Sequence, residues 1–442
     1  MNTFARRILC LVLLIMLLPV LRIYAGSEIK VGVAKMEITP TEPMRLYGYA
    51  SRTAPFIGIY DPLFCRSVVF DDEATRAVII SLDSGTIPLG SWLQTIHVQL
   101  AEKYDIDHVF LTATHSHAAP RLGTHDKPIP WNEVIAGKIY ESVKLALTKM
   151  QTARFSVGEG KADITYDRRV VDNDGVVTML WQNHERKPTK PVDQRIGVLH
   201  IQNTDGKPIA TLVHYACHPV ISGNKNNRVS AEIPGAICTY VNNKIGGECV
   251  FLQGACGDIN PYLAAFLQED TSAYEGMLKE SEKVAREVVE IVHRAAPLEQ
   301  DDWTIRYQQK KISFGLRHPV SDKRMKDSLD GFFSEEELKR FLESNQTLEA
   351  NVSLLMLGEE IAWAGFPGEF FDDFQVDLRQ RTPVANTFFV GYSNGMYSYF
   401  PTIEAAVEGG YGASWGLLAE TGTGERMVDK AVIGLYQLLG KL

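Results

Sequence analysis

Two histidines separated by one residue, His115 and His117, follow the apolar run VFLTAT, and imidazole side chains at this spacing can bind a metal ion. Neutral imidazole nitrogen is a common ligand of Zn²⁺, which usually takes four ligands and keeps one position open in catalytic sites. Histidines at the end of a strand also serve as ordinary hydrogen-bonding groups. The metal interpretation therefore needs partners elsewhere in the chain.

The motif VHYACHPV supplies two more histidines, and strand geometry favours one of them. Residues two apart in an extended segment project to the same side, so His115 and His117 are predicted to point the same way. His218 lies at the end of its strand, directly before a proline, where it can reach the same point. His214 lies inside the strand and is predicted to be a core histidine with a hydrogen-bonded partner.

Oxygen ligands are offered by the motifs WAGFPGEFFDDF and GYSNGMYSYFPT. A strand is predicted to end at the Pro-Gly pair and a helix to begin at Glu369, whose carboxylate the helix dipole would favour. That position suits an oxygen ligand as well as a helix stabiliser. Asp372 and Asp373 lie further into the predicted helix and are expected to be surface charges. The tyrosines of the second motif are packing residues or, next to a cation that lowers the phenol pKa, zinc ligands.

The pattern of apolar residues predicts an α/β fold with mixed β-sheets flanked by helices. Strands are predicted for DHVFLTAT, IATLVHYACHP, CVFLQGACG, EIAWAGF and TFFVGY, among others. Helices are predicted for GSWLQTIHVQLAEKY, NEVIAGKIYESVKLALTKM, AEIPGAICTYVNNKIG, EEELKRFLESN and GEFFDDFQVDLRQR, among others. Polar residues gather where strands end, which is where such folds place their sites.

The N-terminus has the features of an export signal, since Arg6 and Arg7 precede ILCLVLLIMLLPV and the small-residue segment RIYAGS follows. We predict a signal peptide over residues 1–25 and a secreted or periplasmic mature protein over residues 26–442. The apolar run is short for a membrane span of about 20 residues, so an uncleaved anchor is the less favoured alternative. A formal net charge of -9 argues against a nucleic-acid partner. The five cysteines outside the leader are predicted to be small buried residues.

The order of the motifs THSHAAP, HPVISGNKNNRVSAEIPG, GACGDINP, FPGEF and SNGMYSYFPTIEAAVEGGYGAS resembles that of the neutral/alkaline, non-lysosomal ceramidase family. The opening VGVAKMEITPTEPMRLYGYASR is similar as well. The resemblance runs from about Ile29 to about Ser414, and five short motifs in the family order are specific together. It implies that residues 26–442 form a ceramidase-like zinc hydrolase domain.

In that family one zinc ion is held by the first histidine of an HxH pair, a histidine before proline, the glutamate of a PxEF motif and a loop tyrosine. The resemblance places these four ligands on His115, His218, Glu369 and Tyr399. Tyr399 is preferred to Tyr397 because of its distance from Asn394.

Other functional groups of the family also have counterparts in this sequence. His117 is similar to the residue that approaches the substrate beside the zinc. Arg168 and Tyr411 match the arginine and tyrosine that polarise the scissile carbonyl. Arg169 remains an alternative to Arg168.

One departure changes the expected chemistry. The family places a serine nucleophile in GDxSPN, and the matching stretch GDINPY has Asn260 at that position. An amide is not a nucleophile, so water activated by zinc is expected to attack the carbonyl directly, with Arg168 and Tyr411 stabilising the oxyanion and His117 passing a proton to the leaving group. Asp258 is expected to orient His117, a neighbouring loop or the water. The C-terminal immunoglobulin-like domain of ceramidases is not expected here.

The sequence thus predicts an exported zinc-dependent hydrolase of an amide or ester bond. Its partner is expected to be a small-molecule or lipid-like acylated substrate, and peripheral contact with a membrane is compatible with that chemistry. The alternative is a catalytically silent protein that keeps the zinc and binds an acylated amine or a glycan.

Overall fold

The computed structural model describes residues 28–123, 129–264, 272–300, 302–319, 322, 339, 341, 343, 347–414 and 417–442. The predicted signal peptide and most of the helix predicted for EEELKRFLESN lie outside these ranges.

The strands of the described residues are short to medium in length. They are β1 (Lys30–Glu37), β2 (Gly58–Ile59), β3 (Phe64–Asp71), β4 (Arg76–Leu82), β5 (His108–Ala113), β6 (Gln151–Lys161), β7 (Thr165–Asp167), β8 (Arg169–Val171), β9 (Val177–Met179), β10 (Arg195–Asn203), β11 (Pro208–Tyr215), β12 (Arg228–Val229), β13 (Glu248–Gln253), β14 (Ile259–Pro261), β15 (Ile305–Phe314), β16 (Leu348–Leu357), β17 (Ile361–Gly365), β18 (Glu369–Phe370), β19 (Asn386–Val390) and β20 (Tyr399–Phe400).

The helices of the described residues lie between these strands and at the C-terminus. They are α1 (Ser91–Tyr104), α2 (Pro130–Leu147), α3 (Glu232–Ile245), α4 (Ser272–Arg294), α5 (Asp373–Arg381), α6 (Ile403–Glu408) and α7 (Thr423–Leu438). None of them combines the length and the apolar character that crossing a bilayer requires.

Two mixed sheets form the centre of the fold. The larger has eight strands in the order β13-β11-β10-β6-β1-β3-β4-β5, and the smaller has four in the order β15-β16-β17-β19. Most neighbours are antiparallel, but β4 with β5, β11 with β13 and β17 with β19 are parallel. The prediction of an α/β fold with mixed sheets is confirmed.

The sheets pack face to face, and helices cover their outer faces. Alternation along β4 shows why: Val78 and Ile80 are buried in a cluster with residues of α1 and α2, while Ala77 and Ile79 are buried with Leu355 and other residues of the smaller sheet. Helices α3 and α4 cover the other half of the large sheet, and α5 and α7 cover the small one. Strands buried on both faces read as continuous apolar runs, and β5 is such a strand.

The carboxyl ends of the parallel strands lead into the polar motifs of the sequence. The segment after β5 carries His115, the one after β11 carries His218, and the one after β13 carries Asn260. In the smaller sheet, β17 leads to Glu369 and β19 to Tyr399. Open α/β sheets bind ligands at such strand ends, so this topology gathers the motifs at one place.

One predicted element is wrong, and the error concerns a site residue. Glu369 does not open a helix; it lies in the two-residue strand β18, which pairs with β20 so that Glu369 stands opposite Tyr399. Its backbone N–H donates to the carbonyl of Ser398 at 2.9 Å. The helix begins only at Asp373. A pairing partner distant in sequence thus overrode the local helical pattern.

Candidate metal centre and active site

Three imidazole rings meet in the interior where the strand ends converge. Nε2 of His117 lies 3.2 Å from Nε2 of His115 and 3.1 Å from Nε2 of His218. The ligand atoms of all three lie within 4.8 Å of one another, and the rings of His115 and His218 are almost fully buried. Burial lowers the pKa of His117 and of His218 well below the usual value, so these rings are neutral, the form that binds metal.

His115 and His218 are oriented by hydrogen bonds from the opposite ring nitrogen. Nδ1 of His115 lies 2.7 Å from the carbonyl oxygen of Gly85, and Nδ1 of His218 lies 3.1 Å from that of Cys256. A carbonyl oxygen only accepts, so each Nδ1 carries the hydrogen and each Nε2 presents a lone pair to the centre. Metal-binding histidines are held in this way.

His117 is held differently. Its Nδ1 is buried and has no hydrogen-bond partner. The rings of Tyr47 and Tyr49 stand edge-on to it, with centroids 5.5 Å and 5.2 Å away. No hydrogen bond at Nδ1 therefore fixes the His117 ring, in contrast to the other two histidines.

Glu369 adds carboxylate oxygens beside the two oriented histidines, at distances that suit ligands of one tetrahedral ion. Its Oε2 lies 3.6 Å from Nε2 of His115, and its Oε1 lies 3.7 Å from Nε2 of His218. Metal–ligand bonds of 2.0–2.1 Å place tetrahedral ligand atoms about 3.4 Å apart. Oε1 is buried without a hydrogen-bond partner, although buried polar atoms almost always have one. A cation would fit here, because the Nε2 lone pairs of His115 and His218 and the unpartnered Oε1 of Glu369 would all be satisfied by it.

Tyr399 lies beside Glu369 because β18 and β20 pair directly. Burial, reinforced by the charge of Glu369, raises the pKa of Tyr399 well above that of a free phenol. A cation in the centre would act in the opposite direction. Tyr397, the alternative, points away and donates its hydroxyl to the carbonyl of Glu349 on β16.

The backbone at the first histidine differs from the expectation. The strand ends at Ala113, and His115 has a left-handed φ of 66°, so the HxH pair is not extended. The two rings converge because the chain turns at His115. Such a conformation costs energy for a non-glycine residue and is concentrated at functional sites.

Gln253, at the end of β13, ties together the two loops that carry the oriented histidines. Its Nε2 donates to the carbonyls of Thr114 at 3.1 Å and Cys217 at 2.9 Å, and its Oε1 accepts from the N–H of Cys217 at 3.1 Å. Thr114 precedes His115, and Cys217 precedes His218. One buried amide thus ties the two histidine loops to each other.

Arg168 is the arginine that faces the centre. Its Nη2 donates to the carbonyl of Gly257 at 2.5 Å and lies 3.4 Å from the hydroxyl of Tyr399. The rings of Trp181 and Tyr411 flank the guanidinium at 5.5 Å and 5.4 Å. Arg169 turns to the opposite side, where its Nη2 binds the carboxylate of Glu408 and backbone carbonyls next to it.

Asn260, which the sequence resemblance predicts at the serine position of the family motif, contacts Arg168. Its Oδ1 accepts from Nη1 of Arg168 at 3.3 Å, and its Nδ2 donates to the carbonyl of Trp181 at 3.3 Å. Both contacts join groups that line the centre.

Asp258 supports the β18–α5 segment. Its Oδ1 accepts from the N–H of Asp372 at 2.8 Å. Burial raises the pKa of Asp258 to about 6 and that of Asp167 to about 7. The expectation of a surface charge at Asp372 is wrong, because its side chain is only 5 % exposed and binds the N–H of Asp193. Asp373 pairs with Lys190 at the surface, as predicted.

The remaining predicted features are found in the core. His214 lies inside β11, with Nε2 2.5 Å from the carbonyl oxygen of Phe389. The cysteines of the described residues are free and buried.

Sequence reasoning missed several residues of the site: Tyr47, Gly85, Trp181 and Gln253. Only Gln253 carried a visible signal, since it is the one polar side chain at the end of the apolar run CVFLQ.

Comparison with known proteins gives the family. Residues 29–281 match the model of the neutral/alkaline non-lysosomal ceramidase family, N-terminal part, which is more than half of the chain. The chain belongs to this family. Over 259 residues it is 23% identical to the neutral ceramidase of Pseudomonas aeruginosa, covering 52% of this chain and 37% of that protein. Over 270 residues it is 24% identical to neutral ceramidase B of Dictyostelium discoideum, covering 55% of this chain and 35% of that protein.

Solved structures match the fold over a longer stretch. The crystal structure of the Pseudomonas aeruginosa neutral ceramidase superposes with a TM-score of 0.72 at 17% identity, covering 93% of this chain and 75% of that one. A ceramidase complexed with C2 gives 0.71 with the same coverage. The aligned part of the chain corresponds to little more than a third of the curated relatives, so their activities are not carried over as a whole. Membership supports a hydrolase of amide bonds in general terms.

Proposed function

We propose that this protein is an exported zinc-dependent hydrolase that cleaves an amide or ester bond of a lipid-like acylated compound. The observation that carries the proposal is the buried cluster of three imidazoles beside Glu369, whose Oε1 has no hydrogen-bond partner and lies 3.7 Å from Nε2 of His218. Export rests on the N-terminal leader pattern of the sequence.

The residues that would hold the ion are His115, His218, Glu369 and Tyr399. The first two present oriented Nε2 lone pairs, and the other two stand opposite each other on paired strands. Zinc held there would polarise a carbonyl and lower the pKa of a water from about 15.7 to about 7.

Arg168 and Tyr411 are suited to stabilise negative charge on the carbonyl oxygen during attack. The guanidinium is fixed by Gly257 and Asn260 and lies between aromatic rings, so it needs no reorganisation. A preorganised donor of this kind contributes about 3 kcal/mol to lowering the barrier. Tyr411 is 40 % exposed and can reach a substrate that enters from solvent.

His117 is suited to carry a proton to the leaving group. Its Nε2 faces the centre, and no carbonyl acceptor at Nδ1 fixes the ring in one tautomer. A group within hydrogen-bond reach that can exchange its proton typically contributes a factor of about 10²–10⁴ in rate. The role of Asn260 is then to hold Arg168 in place.

An exposed apolar rim beside Tyr411 supports an acylated substrate. Large aliphatic side chains on the β8–β9 hairpin and on α6 are exposed to solvent: Val170, Val171, Val176, Ile403 and Val407. Arg169 joins the two elements through the carbonyls of Ala405 and Gly409. Exposed apolar side chains on two linked elements are compatible with a surface that contacts an apolar ligand.

The first test replaces His115 with alanine and measures zinc by atomic absorption after equilibrium dialysis. We expect zinc content to fall from one ion per chain to background, because an oriented ligand is lost. His214→Ala is the control, since that histidine is also buried but bonds to a core carbonyl. Retention of zinc by His115→Ala would refute the proposed centre.

The second test separates an enzyme from a silent binding protein. The zinc-loaded protein is screened with matched N-acyl and O-acyl compounds, and Asn260→Ser is assayed beside it. Turnover by the native chain supports the hydrolase. Turnover only by Asn260→Ser would favour the binding protein.

A further inference from the structure

The segment Tyr47–Gly48–Tyr49 packs against the His117 ring, and Gly48 makes the closest approach to it. Gly48 has a φ of +97°. A Cβ on Gly48 would lie 2.2 Å from Nδ1, 2.4 Å from Cγ and 2.8 Å from Cε1 of His117. Glycine is favoured at this position for two reasons. The positive φ strains any other residue, and a side chain would collide with the imidazole.

Arg52 fastens this segment to the backbone of His117. Its Nη2 donates to the carbonyl of Tyr47 and to the carbonyl of His117. Its Nη1 donates to the carbonyl of Asn226 at 2.9 Å, and its side chain is only 4 % exposed. The rigid planar fork of a guanidinium holds these three carbonyls at fixed positions, whereas the ammonium of a lysine on its flexible stem would not.

We propose that Gly48 and Arg52 are positioning residues that hold His117 by shape and by a backbone clamp, and leave its Nδ1 without an acceptor. The two histidines assigned as ligands are held instead by hydrogen bonds to their rings. The purpose of this difference rests on the proposed function, in which His117 moves a proton while the other two stay on the ion. The contact itself does not depend on that function.

A double-mutant cycle on thermal unfolding tests the contact without any assay of activity. We expect Gly48→Ala to lower Tm by several degrees more than Gly206→Ala, whose glycine has a φ of +78° and open space around an added Cβ. Both substitutions strain a backbone with positive φ, but only the Cβ of Gly48→Ala would overlap the imidazole of His117. In a His117→Ala background the excess loss should disappear, because the ring is absent. An equal loss of Tm in both backgrounds would overturn the proposal.

Zinc content and kinetics test whether Gly48 and Arg52 position His117 for proton transfer. We expect Gly48→Ala and Arg52→Lys to keep one zinc per chain, while kcat falls by about 100-fold and KM changes little, because a displaced proton carrier affects the chemical step. A loss of zinc like that of His115→Ala would overturn the positioning role, since His117 would then be a ligand. Absence of turnover together with retention of zinc by His115→Ala would refute the proposed function. The unfolding cycle would still show whether Gly48 packs against the His117 ring.

Discussion

Replacing Gln253 with methionine tests how far the metal centre depends on hydrogen bonds outside it. Methionine keeps the length of the side chain, so no large cavity forms, but the bonds to Thr114 and Cys217 are lost. Each buried peptide group left without a partner costs about 1–3 kcal/mol. Three such groups should lower the free energy of unfolding by about 4 kcal/mol after partial relaxation.

Zinc affinity should fall as well, because the two loops lose their common anchor. Removing a group that orients metal ligands typically reduces affinity by about 10–100-fold. The assay is a competition titration against a chromophoric chelator, together with urea unfolding of the metal-free protein. Asn132→Leu is the matched control: its buried amide also makes three backbone bonds, to Gly123 and Ile129, but contacts no histidine loop.

The two variants should therefore lose similar stability and differ in zinc affinity. If Gln253→Met bound zinc within about twofold of the native chain, the separation of the histidines would not depend on this amide. The same conclusion would follow if Asn132→Leu lost affinity to the same degree, since the effect would then be general loosening of the fold.

Three further predictions concern other parts of the site. The pKa of Asp167 is raised by burial from 3.8 to about 7, so the stability it contributes is present below pH 4 and lost as the pH rises through 7. The full shift corresponds to roughly 4 kcal/mol in the free energy of unfolding. Between pH 5 and pH 8 we expect the free energy of unfolding of Asp167→Asn, measured with urea, to rise by about 2 kcal/mol relative to that of the native chain. An equal rise for the exposed Asp174→Asn would contradict this. Val407→Asp should lower kcat/KM for a long-chain N-acyl substrate about tenfold and spare the acetyl analogue, because one valine contributes about 1.5 kcal/mol of apolar contact; equal losses would argue against an acyl-binding rim. Asn260→Ala should lower kcat about tenfold at unchanged zinc content, through the freed Arg168; an unchanged kcat would remove its positioning role.

Local sequence pattern predicted the strands that lead into the site. The apolar runs before His115 and after Pro208 are predicted to be strands from their length and composition, and both are found as β5 and β11. The choice of His218 over His214 followed from position along the strand alone. The strand predictions succeed because they depend on periodicity and on breakers within ten residues.

The features that sequence did not give depend on distant partners. Glu369 forms a strand because Tyr399, thirty residues later, offers a pairing edge. His115 turns left-handed in a loop whose neighbour, the Gly85 carbonyl, is equally distant. The slot around His117 is made by a segment about seventy residues earlier. No local pattern encodes such contacts.

The proposed ligands come from both β-sheets, since His115 and His218 follow strands of the larger one and Glu369 and Tyr399 follow strands of the smaller one. An ion coordinated by all four would link the two β-sheets to each other, as a disulfide bond between them would. Chelation would then act on the whole architecture as well as on turnover, and metal-depleted protein should be cut more quickly by proteases.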